Sequence, residues 1–225
     1  MYNVCCVYWG SKYAVKYVNK LHNAVQRHLT LPHKFICFTD HNGGFNKGIE
    51  TRPFPMTGFK GWWNKLLLFH PDTKLEGRNL FFDLDVILLD NINDFLTYGE
   101  ENTFSIIRDF GRPETEFNSS IMSWNNKYHS EVIWNEYLTN KVKYDKMSGD
   151  QNVITSIMFE KKNTDILKPF PNEWSFSYKW PVRGAYQHYK RDKEYHRVPG
   201  ASVCVCHGSP RPAEIETKWV VDNWR

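Results

Sequence analysis

The most constraining feature of this sequence is an apolar run over residues 79–90 that two acidic residues, Asp83 and Asp85, interrupt. Large apolar residues on both sides of the acids predict a buried strand. Side chains alternate along a strand, so both carboxylates are expected to project on the same side. Two like charges in apolar surroundings are costly to desolvate, and a divalent cation that prefers oxygen ligands would neutralise both. The alternative is that both acids face water at the mouth of a sheet or cap a following turn.

Size and composition are those of one globular domain over residues 1–225, with 41% hydrophobic residues. The formal net charge of +4 suits an anionic small molecule such as a nucleotide, and without a long basic block it does not indicate nucleic-acid binding. The five cysteines lie in apolar runs without C-x-x-C spacing, which is typical of reduced thiols and favours the cytoplasm. No signal-peptide pattern and no apolar run of roughly 20 residues occurs. We therefore expect a soluble protein without a transmembrane segment, and leave peripheral membrane attachment open.

The start of the chain has the pattern of a parallel α/β sheet. Residues 4–9 and 34–40 are short apolar runs typical of buried strands, and the helical spacing between them predicts a helix capped by Ser11. A strand, helix, strand order predicts a right-handed crossover, with ligands at the carboxyl ends of the strands. Tyr8 and Asp40 lie at such ends, although a core aromatic and a helix cap explain them equally well.

The segment before the acidic run, residues 61–69, predicts a helix. Trp62, Trp63, Leu66 and Phe69 would share its apolar face, which we expect to pack on the sheet. Lys65 would then lie at the polar edge, where an ammonium group could meet a phosphate. Further strands are predicted at 103–108, 117–124 and 201–206, and further helices at 130–138 and from Asp150 onward.

Several of these segments resemble one known family when they are taken in chain order. Residues 80–86 resemble the D-x-D signature of nucleotide-sugar glycosyltransferases with the A-type fold. The segment 117–124 is similar to the family's F-N-S strand, and Asp150-Gln151 resembles its D-Q pair at the start of a helix. Residues 207–212 look like the C-terminal H-x-x-G-x-x-K-P element of the retaining, glycogenin-like family 8 enzymes.

The resemblance implies an α/β, single-domain A-type fold, with a Rossmann-like mixed, mainly parallel sheet flanked by helices. Residues 1–90 would form the nucleotide-binding half, and residues 91–225 the half for the donor sugar and the acceptor. Mn²⁺ or Mg²⁺ would be the cofactor. The implied metal ligands are Asp83, Asp85 and His207; the implied donor-binding residues are Tyr8, Asp40, Lys65, Asn118, Gly208 and Arg211; the implied catalytic residues are Asp150 and Gln151.

The sequence departs from the family pattern at two places. Ser120 stands where the family has Gly, which adds a side chain near the ligand. Gly208 follows His207 directly and Arg211 stands for Lys, so the C-terminal element is shorter than in the glycogenin-like enzymes. Asn118 and Asp150 also have structural alternatives, a satisfied turn and a helix N-cap.

The resulting hypothesis is a metal-dependent transfer of sugar from a nucleoside-diphosphate sugar, with a UDP-sugar expected, to an unknown glycan, protein or lipid acceptor. The resemblance favours retention at the anomeric carbon, whereas inversion would need Asp109 or Asp150 as a base. A non-catalytic sugar-nucleotide or glycan-binding module is the alternative. A nucleotidyltransferase is disfavoured because residues 9–12 are poor in Gly and Arg for a phosphate loop. The irregular segment 161–195 is expected to form acceptor surface, with Trp174, Tyr178 and Trp180 stacking on a sugar or filling a satellite core.

Overall fold

The structure, a computed structural model, describes residues 1–160, 165–180 and 197–225. In the described residues, the strands are β1 Tyr2–Tyr8, β2 His33–Thr39, β3 Ile49–Arg52, β4 Arg78–Phe82, β5 Val86–Leu88, β6 Ser105–Arg108, β7 Phe117–Asn125, β8 Ser175–Ser177 and β9 Val203–Val205. The α-helices are α1 Lys16–His28, α2 Asn93–Thr97, α3 Asn126–Ser130, α4 Glu136–Thr139, α5 Lys141–Tyr144, α6 Asp150–Glu160 and α7 Lys218–Asn223. A π-helical turn, Glu131–Asn135, joins α3 to α4, and a 3₁₀ segment covers Gly61–Phe69.

The strands of the described chain form a large central sheet in the order β3-β2-β1-β4-β7-β6. The first four strands are parallel to one another, and β7 pairs antiparallel with both β4 and β6. This is the mixed, mainly parallel sheet that the sequence predicted. Alternation along β1 places Cys5 and Cys6 in two different apolar cores, one on each face of the sheet. Burial on both faces explains why this strand is a continuous apolar run.

The sequence predicted one strand over residues 79–90, but the structure has two. β4 ends at Phe82 in the central sheet, and β5 begins at Val86 in a second sheet of order β5-β9-β8. Asp83 and Asp85 therefore lie at the crossing between two sheets. The apolar pattern did not reveal the break because β4 and β5 are both fully buried.

Two predicted features of the helices were wrong. Helix α1 begins at Lys16 and its N-cap position is Val15, so Ser11 does not cap it. The segment Gly61–Phe69 is a 3₁₀ helix whose buried residues run continuously from Asn64 to Phe69, while Trp62 is 54% exposed. A 3₁₀ helix turns more tightly than an α-helix, so the apolar face that was predicted from α-helical spacing does not form.

The remaining helices cover the two faces of the central sheet. Tyr17, Val18 and Leu21 recur on one face of α1 and pack into the same core as Cys6 of β1. Val153, Ile154 and Ile157 of α6 pack into the opposite core. Within the described residues, every helix is too short or too polar to cross a lipid bilayer.

Candidate active site

A cavity of about 530 Å³ opens at the carboxyl ends of β1 and β4. The start of β7 faces the same edge because β7 runs antiparallel to β4. Parallel sheets place ligands at this edge. The lining residues come from six segments of the chain: Val7, Trp9, Lys12 and Tyr13; Gly61, Trp62 and Lys65; Asp83, Leu84 and Asp85; Asn118, Ser119 and Ser120; Ser148, Gly149, Asp150, Gln151 and Asn152; His207 and Gly208.

The two acids of the D-x-D pair are held by different sheets. The backbone N–H of Asp83 donates to the carbonyl oxygen of Ser120 at 2.9 Å, and the carbonyl oxygen of Asp85 accepts from the N–H of Cys206 at 2.9 Å. The Asp85 carboxylate is buried and accepts a hydrogen bond from the Tyr13 hydroxyl at 2.9 Å. Burial, and then the charge of Asp83, raise the pKa of Asp85 to about 6. The pair is therefore a region of unbalanced negative charge.

Lys65 is buried in the floor of the cavity rather than placed at a polar edge. Its ammonium group donates to Asp83 Oδ2 at 3.1 Å and to Ser119 Oγ at 3.0 Å, and lies 3.4 Å from Asp150 Oδ2. Burial alone would lower the pKa of Lys65, but the charges of Asp150 and Asp83 outweigh it and raise the pKa above its ordinary value. Lys65 is thus a fixed cation between two carboxylates.

The predicted D-Q pair opens α6 and lines the cavity. Asp150 is the first residue of the helix and is buried, and burial raises the pKa of its carboxyl despite the opposing charge of Lys65. Gln151 Oε1 accepts from the backbone N–H of Ser119 at 3.4 Å. Asn118 Oδ1 accepts from the backbone N–H of Ser120 at 3.0 Å, so Asn118 both satisfies a local turn and lines the cavity.

His207 lies in the same cavity, but its ring is occupied by protein contacts. Its Nε2 is 2.7 Å from Ser177 Oγ, and the ring packs against Phe110 and Trp180. In the part of the chain that the structure describes, no three His, Cys, Asp or Glu side chains form a group able to hold one ion. Asp83, Asp85 and His207 therefore line one cavity without forming such a group, and hydrogen bonding and stacking engage the imidazole.

Gly208 follows His207 with a φ of +81°, a left-handed conformation that favours glycine. A Cβ at this position would lie 3.2 Å from Lys179 Nζ. Gly208 lines the cavity, as the resemblance implied.

Three predicted donor-binding residues do not line the cavity. Tyr8 is buried and stacks on His41 with ring centroids 4.3 Å apart. Asp40 accepts from the backbone N–H of Gly10 at 3.2 Å, so it positions the loop that follows β1. Arg211 donates to the carbonyl oxygen of Lys12 at 2.9 Å. These side chains contact other parts of the protein, and their binding to a donor stays a prediction.

The structure adds lining residues that the sequence reasoning missed, among them Lys12, Tyr13 and Trp62. Tyr13 precedes α1, and its hydroxyl reaches Asp85. The Trp62 indole N–H donates to the carbonyl oxygen of Ser148 at 3.2 Å and crosses the mouth of the cavity. A Cβ on Gly149 would overlap Trp62 Nε1, so the contact depends on glycine there. Lys12 and Tyr13 could have been predicted from their position just after β1, because ligands bind at the carboxyl ends of parallel strands.

The aromatics predicted for an acceptor surface are mostly packed. Trp174 contacts Phe95 with ring centroids 5.1 Å apart, and Tyr178 is buried. Trp180 contacts the His207 ring with centroids 4.5 Å apart. The rest of the predicted acceptor surface, residues 161–164 and 181–195, lies outside the described residues.

Comparison with solved structures identifies the architecture. The chain superposes on the glycosyltransferase GlyE of Streptococcus pneumoniae TIGR4 with a TM-score of 0.72 and 15% sequence identity, over 99% of this chain and 60% of that one. It superposes on the galactosyltransferase LgtC, solved with donor and acceptor sugar analogs, with a TM-score of 0.64 and 13% identity, over 98% of this chain and 96% of that one. The fold is that of the A-type glycosyltransferases.

The bifunctional glycosyltransferase WbbM has the A-type fold in common with this chain, with a TM-score of 0.67 and 10% identity, over 98% of this chain and 49% of WbbM. The chain therefore spans about half of WbbM and 60% of GlyE. No family model and no curated protein matches the sequence. The predicted fold class is confirmed, and the cavity occupies the edge of the sheet where α/β folds bind ligands.

Proposed function

We propose that this protein is a glycosyltransferase that uses a nucleoside-diphosphate sugar, with a UDP-sugar as the expected donor. The observation that carries the proposal is the cluster of Asp83, Asp85, Lys65, Asp150 and Gln151 in one cavity of an A-type fold. These residues come from three segments far apart in the chain, and a purely structural role would not require them to meet at an open cavity. The cavity volume of about 530 Å³ is within the range of small-molecule sites.

Asp83 and Asp85 fit a divalent cation, Mn²⁺ or Mg²⁺. Burial, and then the charge of Asp83, raise the pKa of Asp85, and a bound cation would offset both effects. Such ions are often held by one or two carboxylates together with substrate phosphates. When bound, the ion would stabilise negative charge on the departing diphosphate. His207 remains a predicted third ligand.

The chain's own residues supply binding and orientation. Transfer breaks the bond between the anomeric carbon and a diphosphate oxygen, which keeps the electron pair. A bond forms from that carbon to an acceptor hydroxyl oxygen, whose proton passes to the departing diphosphate. The buried Lys65 ammonium is preorganised beside this charge, and Lys12 supplies a second cation on the cavity wall. Asn118 and Gln151 present amide groups for the hydroxyls of the donor sugar.

Retention at the anomeric carbon is the stereochemical course that we propose. Asp150 Oδ2 lies 3.4 Å from Lys65 Nζ, so its carboxylate is engaged by the protein's own cation rather than by an acceptor hydroxyl. Asp109 Oδ1 accepts from the backbone N–H groups of Gly111 and Arg112 at 2.8 and 2.9 Å, and Asp109 does not line the cavity. Gln151 and the leaving-group oxygen are then the polar groups left near the reacting face. LgtC has also been solved as an active-site mutant in which glutamate replaces a glutamine, which makes Gln151 the first residue to substitute in this chain.

The test is a donor screen. The protein is incubated with Mn²⁺ and a panel of UDP- and GDP-sugars, and release of the nucleoside diphosphate is measured with thermal shift in parallel. We expect release from one donor class, and at least 100-fold less release in Asp83→Asn. Release should be unchanged in the control Asp90→Asn, whose exposed side chain accepts from Asn91 N–H. Binding without release would make the protein a sugar-nucleotide-binding module. If the protein neither binds nor hydrolyses any donor, the proposal is refuted.

A further inference from the structure

A second cavity, about 390 Å³ in volume, adjoins the first and shares Ser148 and Asn152 with it. Thr115 and Glu116, in the turn before β7, form one side, and Ser156 and Phe159 of α6 form another. The two cavities therefore lie on either side of a wall formed by Ser148 and Asn152 at the start of α6.

The lining of the second cavity differs in charge from that of the first. No lysine or arginine is among the described residues that line it, and Glu116 is its one charged group there. An anionic ligand is therefore disfavoured. Glu116 is half-buried and pairs with the exposed Arg112 at 2.9 Å, and an ion pair whose cation is exposed to solvent can be exchanged for a hydrogen bond from a ligand hydroxyl.

The second cavity also offers a fixed aromatic ring and a hydroxyl group that has no partner. Phe159 stacks on the buried Phe117 with ring centroids 4.4 Å apart and an angle of 4° between the planes. The hydroxyl of Ser156 is buried and has no hydrogen-bond partner among the described residues, although buried polar groups are normally paired. A ring for apolar C–H surface beside hydroxyl, amide and carboxylate groups suits a neutral saccharide.

We propose that the second cavity is the subsite for an acceptor saccharide, which reaches across Ser148 and Asn152 to place one hydroxyl in the first cavity. The inference rests on the proposed function, because it needs a donor sugar on the other side of that wall. It specifies the acceptor chemically as a neutral, polyhydroxylated chain of at least one sugar bound beside Glu116 and Phe159.

The experiment uses the whole chain and two blocking variants. Thr115→Trp fills the cavity from an exposed position, and Glu116→Gln removes its charge at constant shape; Glu114→Gln is the control, because Glu114 is exposed and does not line the cavity. A panel of methyl glycosides and lactose is tested for binding by saturation-transfer NMR, with UDP and Mn²⁺ present. In parallel, UDP release is measured with donor alone and with donor plus each saccharide.

We expect one or more saccharides to bind the wild type and Glu114→Gln equally, with binding lost in Thr115→Trp and weakened at least fivefold in Glu116→Gln. Donor hydrolysis without saccharide should be unchanged in both blocking variants. Saccharide binding that survives Thr115→Trp, or no binding of any saccharide in the panel, overturns the subsite. Saccharide binding is measured by NMR and does not depend on turnover. If no donor reacts, the proposed transferase is refuted, and the NMR result still decides whether the second cavity binds a saccharide.

Discussion

Replacing Lys65 with methionine should destabilise the protein by about 3–5 kcal/mol. The ammonium group is buried and is shared by Asp83, Asp150 and Ser119. Methionine retains most of the volume but leaves two carboxylates without their cation, and breaking a buried ion pair by removing one partner costs roughly 3–5 kcal/mol. Asp150 carries the larger share of this penalty, because it is 2% exposed whereas Asp83 is partly open to the cavity.

The assay is urea unfolding at pH 7, followed by far-UV circular dichroism. For a chain of this size each kcal/mol lowers the melting temperature by roughly 2–4 °C, so a thermal melt should shift by roughly 6–20 °C. Lys60→Met, at an exposed position nearby, is the matched control and should change the free energy of unfolding by less than about 0.5 kcal/mol.

The double variant Lys65→Met, Asp150→Asn tests the stated cause. Neutralising Asp150 should restore at least half of the lost stability, since the isosteric amide needs no cation. A Lys65→Met variant that unfolds within about 1 kcal/mol of the wild type would contradict the reasoning. So would a full loss of stability that Asp150→Asn does not relieve, because the ammonium would then stabilise the fold by some other contact.

Three further predictions concern other parts of the structure. Burial lowers the pKa of His129 to about 4, so the unfolded chain binds more protons than the folded chain below pH 6.5, and the stability supplied by neutral His129 falls by about 2 kcal/mol between pH 7 and pH 5. The pKa of the half-buried His207 is also lowered to about 4 and adds a fall of similar size, so His129→Gln should reduce the total fall in urea titrations by about 2 kcal/mol; an unreduced fall would contradict this. Asp85→Asn should stabilise the metal-free protein by about 2 kcal/mol in urea unfolding, because it removes a buried charge and its repulsion from Asp83, and it should abolish donor turnover. A destabilised variant would contradict this. Gly149→Ala should raise the donor KM at least fivefold, since its Cβ displaces the Trp62 indole, yet lower stability by less than about 1 kcal/mol in thermal melts because Trp62 is exposed; an unchanged KM would contradict it.

The sequence predicted those parts of the fold that depend on local periodicity. The strands at the start of the chain, the helix that opens at Asp150, and the strand before His207 all occur, because each is a complete apolar pattern with its own boundary. The break between β4 and β5 could not be predicted, since a strand that changes sheets remains apolar throughout.

The candidate site was predicted in part for the same physical reason. Asp83, Asp85, Lys65 and Asp150 were found because charge inside apolar segments is costly and needs an explanation. Tyr8 and Arg211, which the resemblance assigned to the donor, make a ring stack and a backbone contact, roles in which their residue types serve equally well. Trp62 was missed as a wall residue because an exposed tryptophan next to a glycine is a tertiary arrangement that no spacing rule contains.

The passage of the chain from one sheet to the other also has a consequence for biosynthesis. Val86 of β5 pairs with Val205 of β9. Among the described strands, β5, next to Asp85, therefore has no pairing partner until β9 has been synthesised. A nascent chain that already contains the central sheet would still expose the β5 edge, and open edges recruit other chains. We expect translation arrest before residue 200 to yield an aggregation-prone intermediate. In it Asp83 and Asp85 are already synthesised, but the strand β9 that positions Asp85 is not.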